Sequence, residues 1–472
     1  MALSQLSEAG QFRIEHATII TSDGTPIDLL PSGILAIEIT ESVNSMAVAG
    51  WIACSDTVNL VSTGPVIGQE YLRLRILTPQ VDDDINSTID FMEEPLVIIN
   101  HVVRDVSGNG VQSWVLEFSS RQFVMNNRTK VHRTLTGTWS DIATEMLTGD
   151  LGITKPLSIE PTVGVKKFIA PNIRPHKVLE HAMHQGVSQD GGDVSYYCYE
   201  TVANMNFRSL SNMYSSPEVM SFQPTTPGTQ GGDPFAALGT MYSYTVSTGM
   251  NLVMGHRDGR FASNLIVHDL TSKSHQTYTY NYLDNFDNEP TIEGTYSKAM
   301  HNPIKDYPPF SDISVDSEGS KRISDYPHRT FLQPTSTSGG QDNIYPDNVN
   351  QMPYTPHAAQ NWLQERLARG KRLPNTMTVN MECPGNTFLH VGEIIHINVP
   401  TNSALDESGE VFDPYYTGKY LIYNLKHGFN VANNLHKLNL TCVKDSAKIP
   451  YSSGSFYEDA LFESDSSGSL EI

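Results

Sequence analysis

The chain has 472 residues, with 31 basic against 52 acidic side chains and a formal net charge of −21. A single core stops growing at roughly 250–300 residues, so two or more domains are expected. Duplex binding needs clustered Lys and Arg; the longest basic block is Arg369-Gly370-Lys371-Arg372, which argues against tight nucleic-acid binding but not against DNA sliding past an acidic wall.

Cys54, Cys198, Cys383 and Cys442 lie far apart and form no CxxC pair. They lack zinc spacing and read as buried free thiols of a chain made in a reducing cytosol. The opening MALSQLSEAGQF has neither a basic nor an apolar signal region. No apolar run approaches ~18 residues, so neither a signal peptide nor membrane insertion is expected.

Residues 1–125 read as β. In Tyr71-Leu72-Arg73-Leu74-Arg75-Ile76-Leu77 the arginines share one face, and Leu72, Leu74 and Ile76 share the other. That is the period of a half-buried strand. Trp114, Leu116 and Phe118 alternate with Val115, Glu117 and Ser119 in the same way, and 33–39 and 96–103 are further strands. Ser107-Gly108-Asn109-Gly110 reads as a hairpin turn. Several short strands with polar turns suggest a barrel or sandwich.

Helical signals follow. Ile142, Met146 and Leu147 predict a helix capped by Thr138 or Ser140, with Gly149 just beyond. Val178, Leu179, Ala182 and Met183 predict a second helix after Pro175, ended by Gly186. Residues 195–200 and 206–210 look like a hairpin, so 126–235 is expected to be an α/β unit. Residues 215–240 are rich in Pro, Gly, Ser and Thr and read as a linker or surface loop.

Strands return between 241 and 282, and 283–355 reads as a polar insertion that wraps a neighbour or is ordered by one. A third helix should follow Pro356 on Ala359, Trp362, Leu363, Arg366 and Leu367, stopping at Gly370. Strands then run to Val443. The tail from 453 to 472 holds five acids and no base, interrupted by Phe456, Tyr457, Leu461 and Phe462. It reads either as a docking peptide that orders on a partner or as a disordered terminus.

Three motifs then carry a resemblance. The first is Ile159-Glu160-Pro161-Thr162 with Pro171-Asn172-Ile173-Arg174-Pro175. The second is Tyr199-Glu200 with Phe207-Arg208-Ser209-Leu210. The third is Cys383-Pro384-Gly385-Asn386-Thr387, Val391-Gly392-Glu393, Thr417-Gly418-Lys419-Tyr420-Leu421-Ile422, His427 and Lys444-Asp445-Ser446. In this order they resemble the central hub subunits of the baseplates of contractile-tailed (myovirus-type) bacteriophages. The likeness covers roughly 155–215 and 375–446 and does not extend to 215–240 or 283–355.

Physically, Pro171 and Pro175 set the entry angle of a helix. Gly385 and Gly418 supply turns. Glu200 is the candidate cross-strand partner of Arg208.

The resemblance implies a mainly β fold with α+β parts: two tube-type antiparallel β-barrel domains flank a small α/β domain, with long loop insertions. The barrels would occupy 1–125 and the pair of stretches 236–285 and 370–447, with 126–235 between them. Residues 286–369 would be an insertion with one helix, and 448–472 an acidic tail. It further implies a structural virion protein and not an enzyme. A homotrimer would form a pseudo-hexameric ring joining the tail tube to the central spike, with DNA only in passage. Implied partners are the chain itself, the spike, the tail tube or a tube-initiator protein, the tape measure protein and baseplate wedge proteins. Assembly would occur in the host cytoplasm.

The residues supply little catalytic chemistry. Gly-x-Ser-x-Gly, a P-loop and a dinucleotide fingerprint are absent, so no catalytic residue or cofactor is expected. His176, His181 and His184 sit on or near one helix without an HExxH pattern, so no metal is expected either. The competing class is a tail-associated cell-wall hydrolase or a receptor- or carbohydrate-binding tail protein. The 21 tyrosines and many acids would then line a sugar cleft. A contractile secretion machine is a further setting for the hub reading.

Overall fold

The computed structural model describes residues 9–30, 33–56, 66–79, 87–106, 112–190, 193–224, 237–248, 251–269, 273–294, 325–335, 358–401, 412–413 and 415–448. The first unit is built from β1 (Arg13–Ile20), β2 (Pro26–Asp28), β3 (Ile34–Ser42), β4 (Ala49–Asp56), β5 (Tyr71–Leu77), β6 (Thr88–Asp90), β7 (Leu96–Val106) and β8 (Gln112–Ser119). They pair in the order β2-β1-β5-β7-β8-β4-β3, with β6 on β5, and every pair is antiparallel.

The predicted alternation decides which faces are buried. Leu72, Leu74 and Ile76 pack with Trp114, Leu116 and Phe118 in one core. Arg75 instead pairs within the chain, its Nη2 2.6 Å from Asp90. Strands β7 and β8 pair as far as Val106 and Gln112, as a hairpin requires; the turn itself lies outside the described residues.

The α/β unit holds α1 (Arg121–Arg128), β9 (Thr134–Gly137), α2 (Trp139–Glu145), β10 (Leu157–Ile159), β11 (Lys166–Ile169), α3 (Pro175–Gln185), β12 (Tyr196–Glu200), β13 (Met205–Ser209) and α4 (Leu210–Tyr214). Thr138, not Ser140, caps α2, in a reciprocal box with Asp141. A π-turn at Met146–Asp150 continues that helix. Pro175 opens α3 and Gly186 caps it, as the spacing predicts. Strand β13 pairs in parallel with β10 and antiparallel with β12.

The stretch expected as a linker contains β14 (Glu218–Pro224), followed by β15 (Thr240–Met241) and β16 (Ser243–Thr248). Met220 and Phe222 alternate with exposed neighbours and bury one side of β14, so packing overrides its polar composition.

An inserted unit follows: α5 (Leu252–Arg257), β17 (Ala262–Asp269), β18 (Ser274–Asn281), α6 (Tyr282–Asn285), β19 (Arg329–Thr335) and α7 (Ala358–Thr376). Strands β18, β17 and β19 form a separate three-stranded sheet. Of the stretch 236–285 assigned to the second barrel, β15 and β16 join the large sheet, whereas β17 and β18 do not.

Helix α7 does not stop at Gly370. It runs on to Thr376 because Arg369 and Arg372, on either side of the glycine, bind buried carboxylates at Asp193 and Glu289. Those contacts outweigh a glycine penalty of about 1 kcal/mol.

The chain closes with β20 (Met377–Pro384), β21 (Ile394–Ile397), β22 (Gly418–Asn430) and β23 (Leu435–Lys444). The second unit pairs in the order β15-β14-β21-β22-β23-β20-β16. Its end strands β15 and β16 are consecutive in the chain, separated only by Tyr242, whose N–H donates to the Glu382 carbonyl.

Strand β22 serves both units. Its first residues pair with β21, and from Asn424 onward it pairs with β3. The switch falls at a bulge at Tyr423, as expected where a strand re-aims. The tip of the β22–β23 hairpin carries Phe429 into the first core against Phe12, and the His436 N–H donates to the Gly10 carbonyl.

Candidate functional site

The three units meet at two buried carboxylates. Strand β3 alternates Ile37, Ile39 and Glu41 inward, so Glu41 is delivered to the apolar side and is fully buried. Its Oε1 accepts from the Val202 N–H of the α/β unit at 2.7 Å. Its Oε2 accepts from the Val391 N–H of the second unit at 3.2 Å, and the His390 Nδ1 lies 3.3 Å from Oε1.

Glu200, at the end of β12, answers in the other direction. It accepts from the Val48 N–H between β3 and β4 at 2.8 Å and pairs with the Lys155 Nζ at 2.7 Å. Each carboxylate therefore satisfies backbone donors of a neighbouring unit, which fixes the relative setting of all three.

Electrostatics follow from this geometry. Burial works to raise the Glu41 pKa, but the charge and hydrogen bond of His390 outweigh it and leave it lowered. Burial works to lower that of His390, and Glu41 reverses it. Burial raises Glu393, whose carboxylate accepts from the His390 N–H at 2.9 Å.

Further buried pairs clamp the inserted unit: Lys444 to Glu293 at 2.8 Å, Arg372 to Glu289 and Arg369 to Asp193. Burying charge costs free energy unless it is matched, and these pairs match it. The arrangement orients elements of neighbouring units against one another.

Glu200 and Arg208 do not pair. The register sets Glu200 against Met205 and Arg208 against Tyr197. Met205 and Arg208 are an odd number of residues apart, so their side chains leave opposite faces. Arg208 instead donates to the Asn212 Oδ1 at 2.5 Å and the Ser216 Oγ at 2.8 Å.

Pro171 precedes Asn172, which takes a left-handed φ of 57°. The chain then enters α3 with Pro175 in its first turn. A Cβ on Gly385 would run into the His436 ring, and one on Gly418 would run into the Glu293 carboxylate. Both turns are therefore close-approach positions. Phe456, Tyr457, Leu461 and Phe462 lie outside the described residues.

Glu41, Lys155 and His390 belong to the site without lying in any of the sequence motifs. Only Glu41 left a sequence signal, as an acid in register with two isoleucines.

The four cysteines are buried and free, and burial pushes the Cys54 and Cys198 thiols up to about 12. Among the described residues no cluster of three or more metal-ligating side chains occurs. No helix there is long and apolar enough to cross a membrane.

No family model matches this chain, and no curated protein matches it by sequence. Solved structures do match. The tail protein from Neisseria meningitidis MC58 is 11% identical, with a TM-score of 0.50 over 92% of this chain and 97% of that one. The 43 kDa tail protein of prophage MuSo2 from Shewanella oneidensis is 10% identical, with a TM-score of 0.48 over 92% and 100%. The E. coli c3393 protein, a component of the type VI secretion system, is 9% identical, with a TM-score of 0.40 over 94% and 79%. The chain has the fold of the Neisseria tail protein over nearly its whole length.

Proposed function

We propose that this chain is a structural, non-enzymatic subunit of a phage-type tail and serves as the baseplate hub. Three copies form a pseudo-hexameric ring between the tail tube and the central spike. One observation carries the reading. A single chain supplies two β units edge to edge in one continuous sheet, joined where β22 leaves β21 and pairs with β3. A ring of six units built from three chains needs such a join inside each chain, and a comparable join between chains.

The hydrogen-bonding circuits support each unit as a barrel. The second returns on itself through β15 and β16. The first runs from β1 round to β3 and β22, and the β23 end of the hairpin reaches back to Gly10. The Neisseria tail protein shares the fold, which supports the setting. A net charge of −21 suits a channel from which DNA is repelled and through which it slides. On this reading the ring contacts the spike, the tail tube or its initiator, the tape measure and the wedge proteins.

Electron microscopy of the purified chain, alone and co-expressed with its tail-tube protein, tests the proposal. Three-fold rings with a six-fold-like outline and a central channel are expected. A chain that stays monomeric in both preparations, or a tail tip whose channel is built from another polypeptide, removes it.

A further inference from the structure

A cavity of about 520 Å³ opens between the end of α3, strand β12 and helix α7. Its walls include Met46, Met183, Tyr196, Tyr197 and Cys198, and Arg366 of α7 stands among them. Helix α7 carries three arginines over two turns. Arg369 and Arg372 are each matched by a buried carboxylate, Asp193 and Glu289.

Arg366 is not. Its guanidinium lies against the Nδ1 of His184, and no carboxylate pairs with it among the described residues. Burial alone pulls it down to about 10. In a chain of net charge −21, a half-buried arginine without an acid on an apolar chamber calls for an anion with an apolar body.

The chain's own C-terminal stretch has that chemistry. Residues 456–463 read Phe-Tyr-Glu-Asp-Ala-Leu-Phe-Glu. Geometry brings them within reach. Strand β23 ends at Lys444, which pairs with Met377, the residue directly after α7. Arg366 lies ten residues back along that helix from Thr376, a distance of roughly 15 Å. The eleven residues 445–455 between Lys444 and that segment span up to about 36 Å when extended.

We propose that this cavity receives residues 456–463 of the tail. Aromatic and leucine side chains enter the apolar chamber, and a carboxylate of Glu458, Asp459 or Glu463 pairs with Arg366. Tethering holds such a segment at an effective concentration on the order of millimolar, so a weak intrinsic affinity suffices. The inference does not depend on the hub reading.

Hydrogen exchange of the full chain, read by mass spectrometry, tests it. Residues 456–463 should exchange about tenfold more slowly in the wild type than in Arg366→Glu. Phe456→Ser with Phe462→Ser, which leaves the packed units untouched, should release the segment equally. Adding Glu458→Lys and Asp459→Lys to Arg366→Glu should restore part of the protection. A wild-type segment that exchanges like a free peptide overturns the proposal. So does protection that survives the paired tail substitutions.

Discussion

The Lys155 ammonium lies 2.7 Å from the Glu200 carboxylate at the seam between the α/β unit and the first sheet, and Glu200 is fully buried. The Val48 N–H is bound to the other oxygen of the same carboxylate. Replacing Lys155 with Met would leave a buried charge with neutral donors alone. A loss of about 3–5 kcal/mol is expected, read as a lower urea midpoint by circular dichroism. The double variant Lys155→Met, Glu200→Gln should recover part of it. An unchanged midpoint in the single variant would mean that the pair does not hold the seam.

Gly418 opens β22 with a φ of 143°, and the Glu293–Lys444 pair occupies the space beside it. A methyl group there must displace one partner of that pair or shift the strand. Gly418→Ala is therefore expected to destabilise by about 2 kcal/mol or more, seen as a lower melting temperature. Gly149→Ala, where nothing lies nearby, is the control and should change little.

Acid should weaken the fold through its buried histidines. Burial holds His427 and His176 at about 4, and His436 well below its ordinary value. Such groups bind protons more readily when unfolded. They therefore favour the folded chain above about 6.5 and lose that advantage as pH falls towards 4.

His390 works the other way. Glu41 raises its pKa against the effect of burial, and the stability this adds is lost as pH rises through the folded value. The His390 contribution is already complete below about 6.5, so it does not oppose the drop. His256 and His396, also lowered by burial, add to it, and Glu393, raised by burial, offsets part of it, so the urea midpoint should drop between about pH 6.5 and 4. His427 faces Glu41, His390 and His436. Replacing it with Leu should flatten that drop by on the order of 1 kcal/mol per pH unit. An equally steep drop in the variant would assign the effect to other groups.

Sequence patterning reveals the local elements and loses the long-range ones. Period-2 alternation at Leu72, Leu74 and Ile76 predicts the buried face of β5, and Pro175 and Gly186 bound α3. The hairpin of β12 and β13 was readable too, but not its register, and a shift of one residue exchanges faces. That is why spacing alone points Arg208 at Glu200 and the register does not. The pairing of β3 with β22 joins residues nearly 400 apart, and no spacing rule reaches that far. Lys155 sits between elements without a periodic context, so its role emerges only from packing.

Arg369 ties helix α7 to the rest of the molecule. Its guanidinium pairs with Asp193 and donates to the Pro290 carbonyl at 3.1 Å. Asp193 also accepts from the Ser195 N–H at 2.9 Å and the Ser211 N–H at 2.7 Å, so it stays held without the arginine. Removing the arginine charge should therefore loosen the helix first and leave the α/β unit in place, a local rather than a global opening. In Arg369→Gln, limited proteolysis with trypsin should cut α7 at Arg366, Lys371 or Arg372 several-fold faster than in the wild type. Fragments retaining the β1–β8 unit should persist. Simultaneous loss of both regions would show that α7 and the sheet open together.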